Sequence, residues 1–469
     1  MQKHRVPLYC FFAKESIKGE KYGYDFSRVP LKVGILKGAL ILMKTVEYSR
    51  ISEKLYQYDH ISGLKVFVIP KKGYKKIYAT FATFYGSVNN TFTMPGSSKE
   101  IHVPDGIAHF LEHKLFEQKD GDISDKFAKL GSESNAYTSF TQTVYLFTCT
   151  SSFEENFKLL VDFVQHPYLT DENVEKEKGI IGQEIKMYED NADWRVFFNL
   201  LEALFVEHPV KIDIAGTVES ISKITKDTLY TCYNTFYHPS NMVILVVGDV
   251  EPETVIKIVE EGIDDRENPG EIGRRFQDEP AHHNKKMVEK KLAVSMPQFQ
   301  MGIKDNSRVT GYELIKRKIS LEIILSVLIG RSSLLYNQLY SEGLINQNFD
   351  YEVNLEGHFG FTSWGGQSKD PHKVADRINE AISNLHSSGL DESIFNRIRK
   401  AHEGRFIRSL NSPENISYEF IPLYFKGANY FDYSKLYEEL TLQEAQTIFK
   451  EHFSQEPSLS IIWPLNDSN

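Results

Sequence analysis

Residues 104–117 read PDGIAHFLEHKLFE, and three of them could act together chemically. Asp105 is a plausible N-cap, and no Pro or Gly follows Gly106, so the segment predicts a helix. On that helix His109 and His113 stand at i and i+4, on one face, and Glu112 lies three residues from His109 on the same side. Ile107, Leu111 and Leu115 form the neighbouring apolar stripe. Two neutral imidazoles one turn apart can share a zinc ion, and a carboxylate beside them can serve as base toward a water that the ion acidifies. The order H-x-x-E-H inverts H-E-x-x-H but puts the same side chains on the same face. The plainer alternative is a half-buried helix with two solvated histidines.

A catalytic zinc commonly has three protein ligands and one open position. Glu117 cannot be the third, because ligands at i, i+4 and i+8 span ~12 Å of helix. A second element must supply it. The stretch VEKEKGIIGQEIKMYED (174–190) offers Glu175, Glu177, Glu184, Glu189 and Asp190. Glu177 and Glu184 are two turns apart on one face, with Ile180 and Ile181 on or near it. Carboxylates bordering apolar surface are unusual for merely solvated charges. An acidic helix surface is the competing reading.

The whole chain must position these groups. It has 469 residues, net charge −10, 41% hydrophobic and 13% aromatic residues, the mixture of a globular protein of two or more domains. The negative balance argues against nucleic-acid and anionic-membrane partners. No apolar run approaches the ~20 residues of a membrane helix. The cysteines are Cys10, Cys149 and Cys232, an odd and widely spaced set that fits a reduced, cytoplasmic setting better than a disulfide framework. Residues 1–42 carry no clear period, and Met43 reads as a native start, so a misplaced start codon and a genuine extension are both open.

Strands are expected at 64–69, 78–85, 144–149 and 241–247, and helices at 153–163 and 174–188. A polar stretch at 264–286 with Asn268-Pro269-Gly270 reads as a linker between domains at 43–263 and 287–469. The second half restarts with strand character across 288–301, an apolar helix at 314–329, strands across 349–364 and helices at 374–385 and 391–407. Asp171-Glu172 and Asp391-Glu392 open similar helices 220 residues apart, and the same offset carries Tyr78 close to Gln298. The fold class expected is α+β, two similar domains with helices against mainly antiparallel sheets.

Taken together, these segments resemble the pitrilysin/insulinase family of inverted-motif zinc peptidases, which includes mitochondrial processing peptidase. HFLEH (109–113) matches its metal motif, and EKGIIGQE (177–184) resembles its acidic helix. GSESNAYTSFTQTVY (131–145), HPVKIDIAGTVESI (208–221) and FYHPSNMVILVVGDV (236–250) are similar to further signatures. The resemblance implies one zinc per chain, held by His109, His113 and Glu184, with Glu112 as general base and Glu177 as an auxiliary acid that orients a histidine or tunes the ion. It implies that Asn135, Ala136 and Tyr137 lie on an edge strand that takes up peptide substrate as an added strand. Read without the resemblance, Asn135 could equally be a turn residue after Gly131 and Ser132.

The second half has no such site, since residues 319–337 contain no His. In the family it forms the other wall of a clam-like chamber, of which this chain would be half. The activity implied is that of a zinc endopeptidase on unfolded peptides. A non-catalytic assembly subunit of the same fold is the alternative from another class, and a structural metal, usually closed by four protein ligands, is a third reading. Members that work alone or as like pairs usually carry an Arg and a Tyr in the second domain. In LYSEGLINQNFDY (339–351), Tyr340 and Asn346 stand at those places, and Arg331 and Tyr351 are nearby but out of register. The expectation is a heterodimer with a related subunit that supplies the pair, with a homodimer as the rival.

Overall fold

The computed structural model describes residues 31–36 and 39–465. Of the first 42 residues, over which the start codon is in question, 1–30 and 37–38 lie outside the described residues, as does Cys10. Two sheets, each packed with helices, form the frame.

The first sheet has eight strands. Its centre is Met242–Gly248, MVILVVG, every residue buried, because helices cover both faces. That strand runs parallel to Lys65–Pro70 and antiparallel to Ile77–Thr83. Beyond Ile77–Thr83 come Thr143–Cys149 and then Glu133–Thr138, the free edge. On the other side, Glu53–Asp59, Ala39–Tyr48 and Leu31–Leu36 extend the sheet, with Met43 opposite Tyr58. These last three strands were not foreseen from the sequence.

The second sheet repeats the pattern over five strands. Met287–Leu292 runs parallel to Ser458–Pro464, which pairs antiparallel with Gln298–Lys304. Gly360–Gln367 follows, and Asp350–Leu355 is the edge. The strand character expected across 288–301 resolves into two strands that never pair with each other, since Ser458–Pro464 lies between them. Parallel neighbours need a long crossover, so a distant segment fills the gap.

The halves do not keep separate cores. Helix Ala192–Leu204 packs on the second sheet, where a Cβ on Gly302 would meet Leu200 at 3.0 Å and Leu204 at 3.3 Å. Helix Pro413–Phe425 packs on the first, with the Phe67 ring edge-on to Phe420 and Tyr424, each at 5.1 Å. The polar stretch 264–286 is likewise bound on both sides. Arg274 donates to the Phe84 carbonyl, and Glu279 accepts from the backbone N–H groups of Val206, Glu207 and His208 while pairing with Lys304.

Candidate metal centre and active site

The metal-motif helix is Ile107–Phe116. Its N-cap is Gly106, not Asp105. Gly106 sits at φ 88° and a Cβ there would lie 2.3 Å from the Ala215 carbonyl oxygen, so only glycine fits. Asp105 instead accepts from the Asn90 amide at 2.9 Å. The apolar stripe of Ile107, Leu111 and Leu115 is fully buried, which fixes the helix's rotation and turns His109, Glu112 and His113 toward the acidic helix. That helix is Asp171–Asp190, opened by a capping box between Thr170 and Asn173.

His109, His113 and Glu184 each present one ligand atom, all within 4.8 Å of one another. His113 Nε2 is 3.5 Å from Glu184 Oε2, and His109 Nε2 is 3.8 Å from Glu184 Oε1. Donors around a tetrahedral ion with bonds of ~2.1 Å stand ~3.4 Å apart, so the set fits zinc. Glu184 Oε2 is buried with no hydrogen-bond partner, a costly state for a carboxylate oxygen unless a cation meets it. Two imidazoles and one carboxylate are a donor set zinc accepts.

The surroundings tune these groups. Burial and the neighbouring His113 push His109 down from the ordinary imidazole range, keeping it neutral and able to ligate. His113 is moved the other way. Burial lowers it, but its hydrogen bond to Glu177, with Glu112 and Glu184 close by, raises it overall. His113 Nδ1 lies 3.2 Å from Glu177 Oε1, so Glu177 holds the ring from behind while Nε2 faces Glu184. Lys114, completely buried, pairs with Glu117 and lies 3.7 Å from Glu177. Burial would raise Glu177, yet the bond from His113 and the charge of Lys114 bring it below the usual range, so it is ionised.

Glu112 is 8% exposed, and burial raises its carboxyl group, only partly offset by the Thr138 hydroxyl. Thr138 donates to Glu112 Oε2 at 2.6 Å from the end of the edge strand. Asn135, Ala136 and Tyr137 lie on that strand, Glu133–Thr138. Asn135 is a strand residue opposite Leu146, not a turn residue. Its side chain accepts from the Ala136 N–H at 2.9 Å, so that N–H is at the open edge and outside the ladder. Beyond Thr138 a cavity of about 960 Å³ opens between Tyr137–Gln142 of the first half and Lys318, Glu352 and Tyr418 of the second.

Three contributors were not found in the sequence. Tyr188 could have been, since it stands at i+4 from Glu184 on the same helix face. Lys114 adjoins His113, but its burial is invisible in sequence. Thr138 reaches Glu112 only because a strand 26 residues on returns beside the helix.

A family model described as Insulinase (Peptidase family M16) matches residues 93–218, and one described as Peptidase M16 inactive domain matches residues 223–401. The chain belongs to this pitrilysin/insulinase family of zinc peptidases. It is 45% identical over 422 residues to the uncharacterized zinc protease YmfH of Bacillus subtilis, covering 88% of this chain and 97% of that one. The crystal structure of an M16-like peptidase from Alicyclobacillus acidocaldarius shares 37% identity at TM-score 0.85, over 88% of this chain and 98% of that one. Pitrilysin, at 14% identity and TM-score 0.70, shares the fold over 91% of this chain and 47% of its own length. The two-domain clam-like fold is thus that of its M16 neighbours, and the chain spans about half the length of pitrilysin.

Proposed function

We propose that this chain is a working zinc endopeptidase for extended peptides. The observation that carries the reading is the complete constellation: His109, His113 and Glu184 within ligand reach of one another, with the Glu112 carboxyl beside them and tied to the edge strand through Thr138. His109, His113 and Glu184 would hold the ion, which when bound supplies a Lewis acid that polarises a peptide carbonyl and acidifies water.

The chain's own groups do the rest. The Glu133–Thr138 edge offers main-chain hydrogen bonds to a peptide laid alongside it, a mode that tolerates varied sequences. For the Ala136 N–H to bond a peptide carbonyl, the Asn135 side chain must swing away. Glu112, raised by burial, accepts the water's proton and returns it to the leaving amine. Glu177 holds the His113 Nδ1 proton throughout.

Glu112→Gln is the direct test. It keeps shape and leaves the ligands untouched, so zinc content should stay at one per chain while hydrolysis of a quenched peptide library falls ~10²-fold or more. Near-normal hydrolysis by that variant would sink the mechanism.

A second chain of similar fold as partner is part of the same proposal. Asn346 is committed to Gln367 at 2.9 Å, and Arg331 donates to the Gln347 carbonyl at 3.2 Å. Asn346 is thus held away from a peptide carbonyl, Arg331 lines the cavity beyond Thr138 with part of its guanidinium engaged, and a partner could supply the full donor set. A reducing, cytoplasmic setting is proposed from the thiols. Burial lifts Cys149 to about 11 and Cys232 to about 12, and neither is paired. Among the described residues no single helix is long and apolar enough to cross a membrane.

A further inference from the structure

We propose that Tyr188 is a positioning residue for the third metal ligand, its phenol O–H holding the Glu184 carboxylate in place against the histidine pair. This rests on the zinc reading of the site. Tyr188 Oη donates to Glu184 Oε1 at 2.7 Å. The other oxygen, Oε2, is buried, has no hydrogen-bond partner and lies 3.5 Å from His113 Nε2. Oε1 lies 3.8 Å from His109 Nε2, so the bond from Tyr188 holds the carboxylate with one oxygen toward each histidine and leaves Oε2 without a donor.

A glutamate on a helix has three free torsions, so an unheld carboxylate loses entropy when it ligates. The clamp removes that cost only if the clamp itself is rigid, and Tyr188 is. Its ring stacks on Trp194 at 4.5 Å between centroids and 16° between planes. Trp194 is fixed in turn, because its Nε1 donates to Asp213 Oδ2 at 2.6 Å and its backbone N–H donates to the Asn191 side chain at 3.1 Å. Asn191 ends the acidic helix and caps the next, Ala192–Leu204, which packs on the second sheet. The third ligand is thus referenced to the far half of the molecule through Tyr188 and Trp194. Glu177 is held by a different route, through His113 and Lys114.

The test uses the full chain, purified metal-free and titrated with zinc in competition with a chelator. Tyr188→Phe keeps the ring and its stacking and removes one oxygen. Its zinc dissociation constant should rise ~10-fold, within the range for groups that hold metal ligands. The unfolding temperature of the metal-free protein should not change, and the visible spectrum of the Co(II) form should shift. Trp194→Leu, which leaves the hydroxyl but removes the shelf, should weaken zinc by a smaller factor. Zinc affinity of Tyr188→Phe within twofold of the unaltered chain, with an unchanged Co(II) spectrum, would overturn the positioning role while leaving the peptidase reading intact. An altered KM for peptide at unchanged zinc affinity would overturn it too, by making Tyr188 a substrate contact. No zinc uptake by the unaltered chain would overturn both readings.

Discussion

Glu177 and Glu184 lie on one face of the same helix yet do different work. Glu184 turns one oxygen toward each of the two histidines, the one facing His113 without a hydrogen-bond partner, whereas Glu177 is engaged by His113 Nδ1 and Lys114. Glu184→Gln should therefore strip zinc from the purified protein, because an amide is a poor replacement for the only anionic ligand. Glu177→Gln should keep zinc with an affinity lowered ~10-fold and a reduced turnover, as for other groups behind a ligand. Glu189, exposed on the same helix, should be neutral when changed to Gln. Metal analysis of the three variants checks the order, and zinc loss from Glu189→Gln would contradict the register.

At the scale of elements, the segments around His208 and His358 join the halves. His208 lies at the short turn of helix Pro209–Lys211, and His358 in the loop between strands Asp350–Leu355 and Gly360–Gln367. Their rings stack, with His208 Nε2 3.1 Å from His358 Nδ1 and Phe276 4.1 Å from His358 between centroids. Burial pushes His208 down to about 4 and His358 down to about 3. The facing charges partly oppose each other at His208, Glu279 favouring its protonation while Lys304 and Arg308 disfavour it. At His358, His208, Arg274, Lys426 and Arg308 all add to the effect of burial. A histidine whose folded value is depressed stabilises the fold above the unfolded value of 6.5, and that stability drains away as pH falls from there toward 4 and 3. The melting temperature should drop on acidification from pH ~7 to ~5. His358→Phe should make that drop shallower, at a cost of ~1 kcal/mol at pH ~7 for leaving His208 Nε2 unpaired. Equal slopes in the two proteins would remove these histidines as the cause.

Across the whole molecule, one half carries the metal-motif and acidic helices, and among the described residues the other half carries their counterparts without a cluster of metal-ligating side chains. Helices Gly311–Ile329 and Glu392–Ser409 follow the second sheet's strands as the metal-motif and acidic helices follow the first's. Lys318 and Glu322 stand at i and i+4 on the former, and Lys318 Nζ is 3.5 Å from Glu419 and 3.9 Å from Glu322. There the chain's own ammonium balances its carboxylates. A cavity reaches the end of the first sheet's edge strand at Tyr137 and Thr138 and the second sheet's edge strand at Asp350–Leu355, and it is there that the proposed partner would close. Purified alone, the chain should show low peptide hydrolysis, rising at least ~10-fold when a related subunit with the missing donor is added, given the usual weight of such a donor. Sizing in solution would show the hetero-complex. Full activity from the isolated chain, unchanged by any partner, would refute it.

Local patterns made much of this legible in advance. The i, i+4 histidines, the paired glutamates at two turns and the long 3.6-period helices are set by spacing along one element, so Ile107–Phe116 and Asp171–Asp190 could be drawn with their faces assigned. Family signatures tied those elements to zinc. What spacing cannot carry is return of the chain. That Thr138 meets Glu112, that strand Ser458–Pro464 separates two strands expected as one, and that helix Ala192–Leu204 crosses to the other sheet are matters of contacts across 26 to more than 150 residues. Gly106 at the helix start is of the same kind, dictated by the Ala215 carbonyl and not by its neighbours in sequence. Tyr188 stands between the two cases. Its position was readable from the helix repeat, but its rigidity comes from Trp194 and Asp213, which only the folded chain brings beside it.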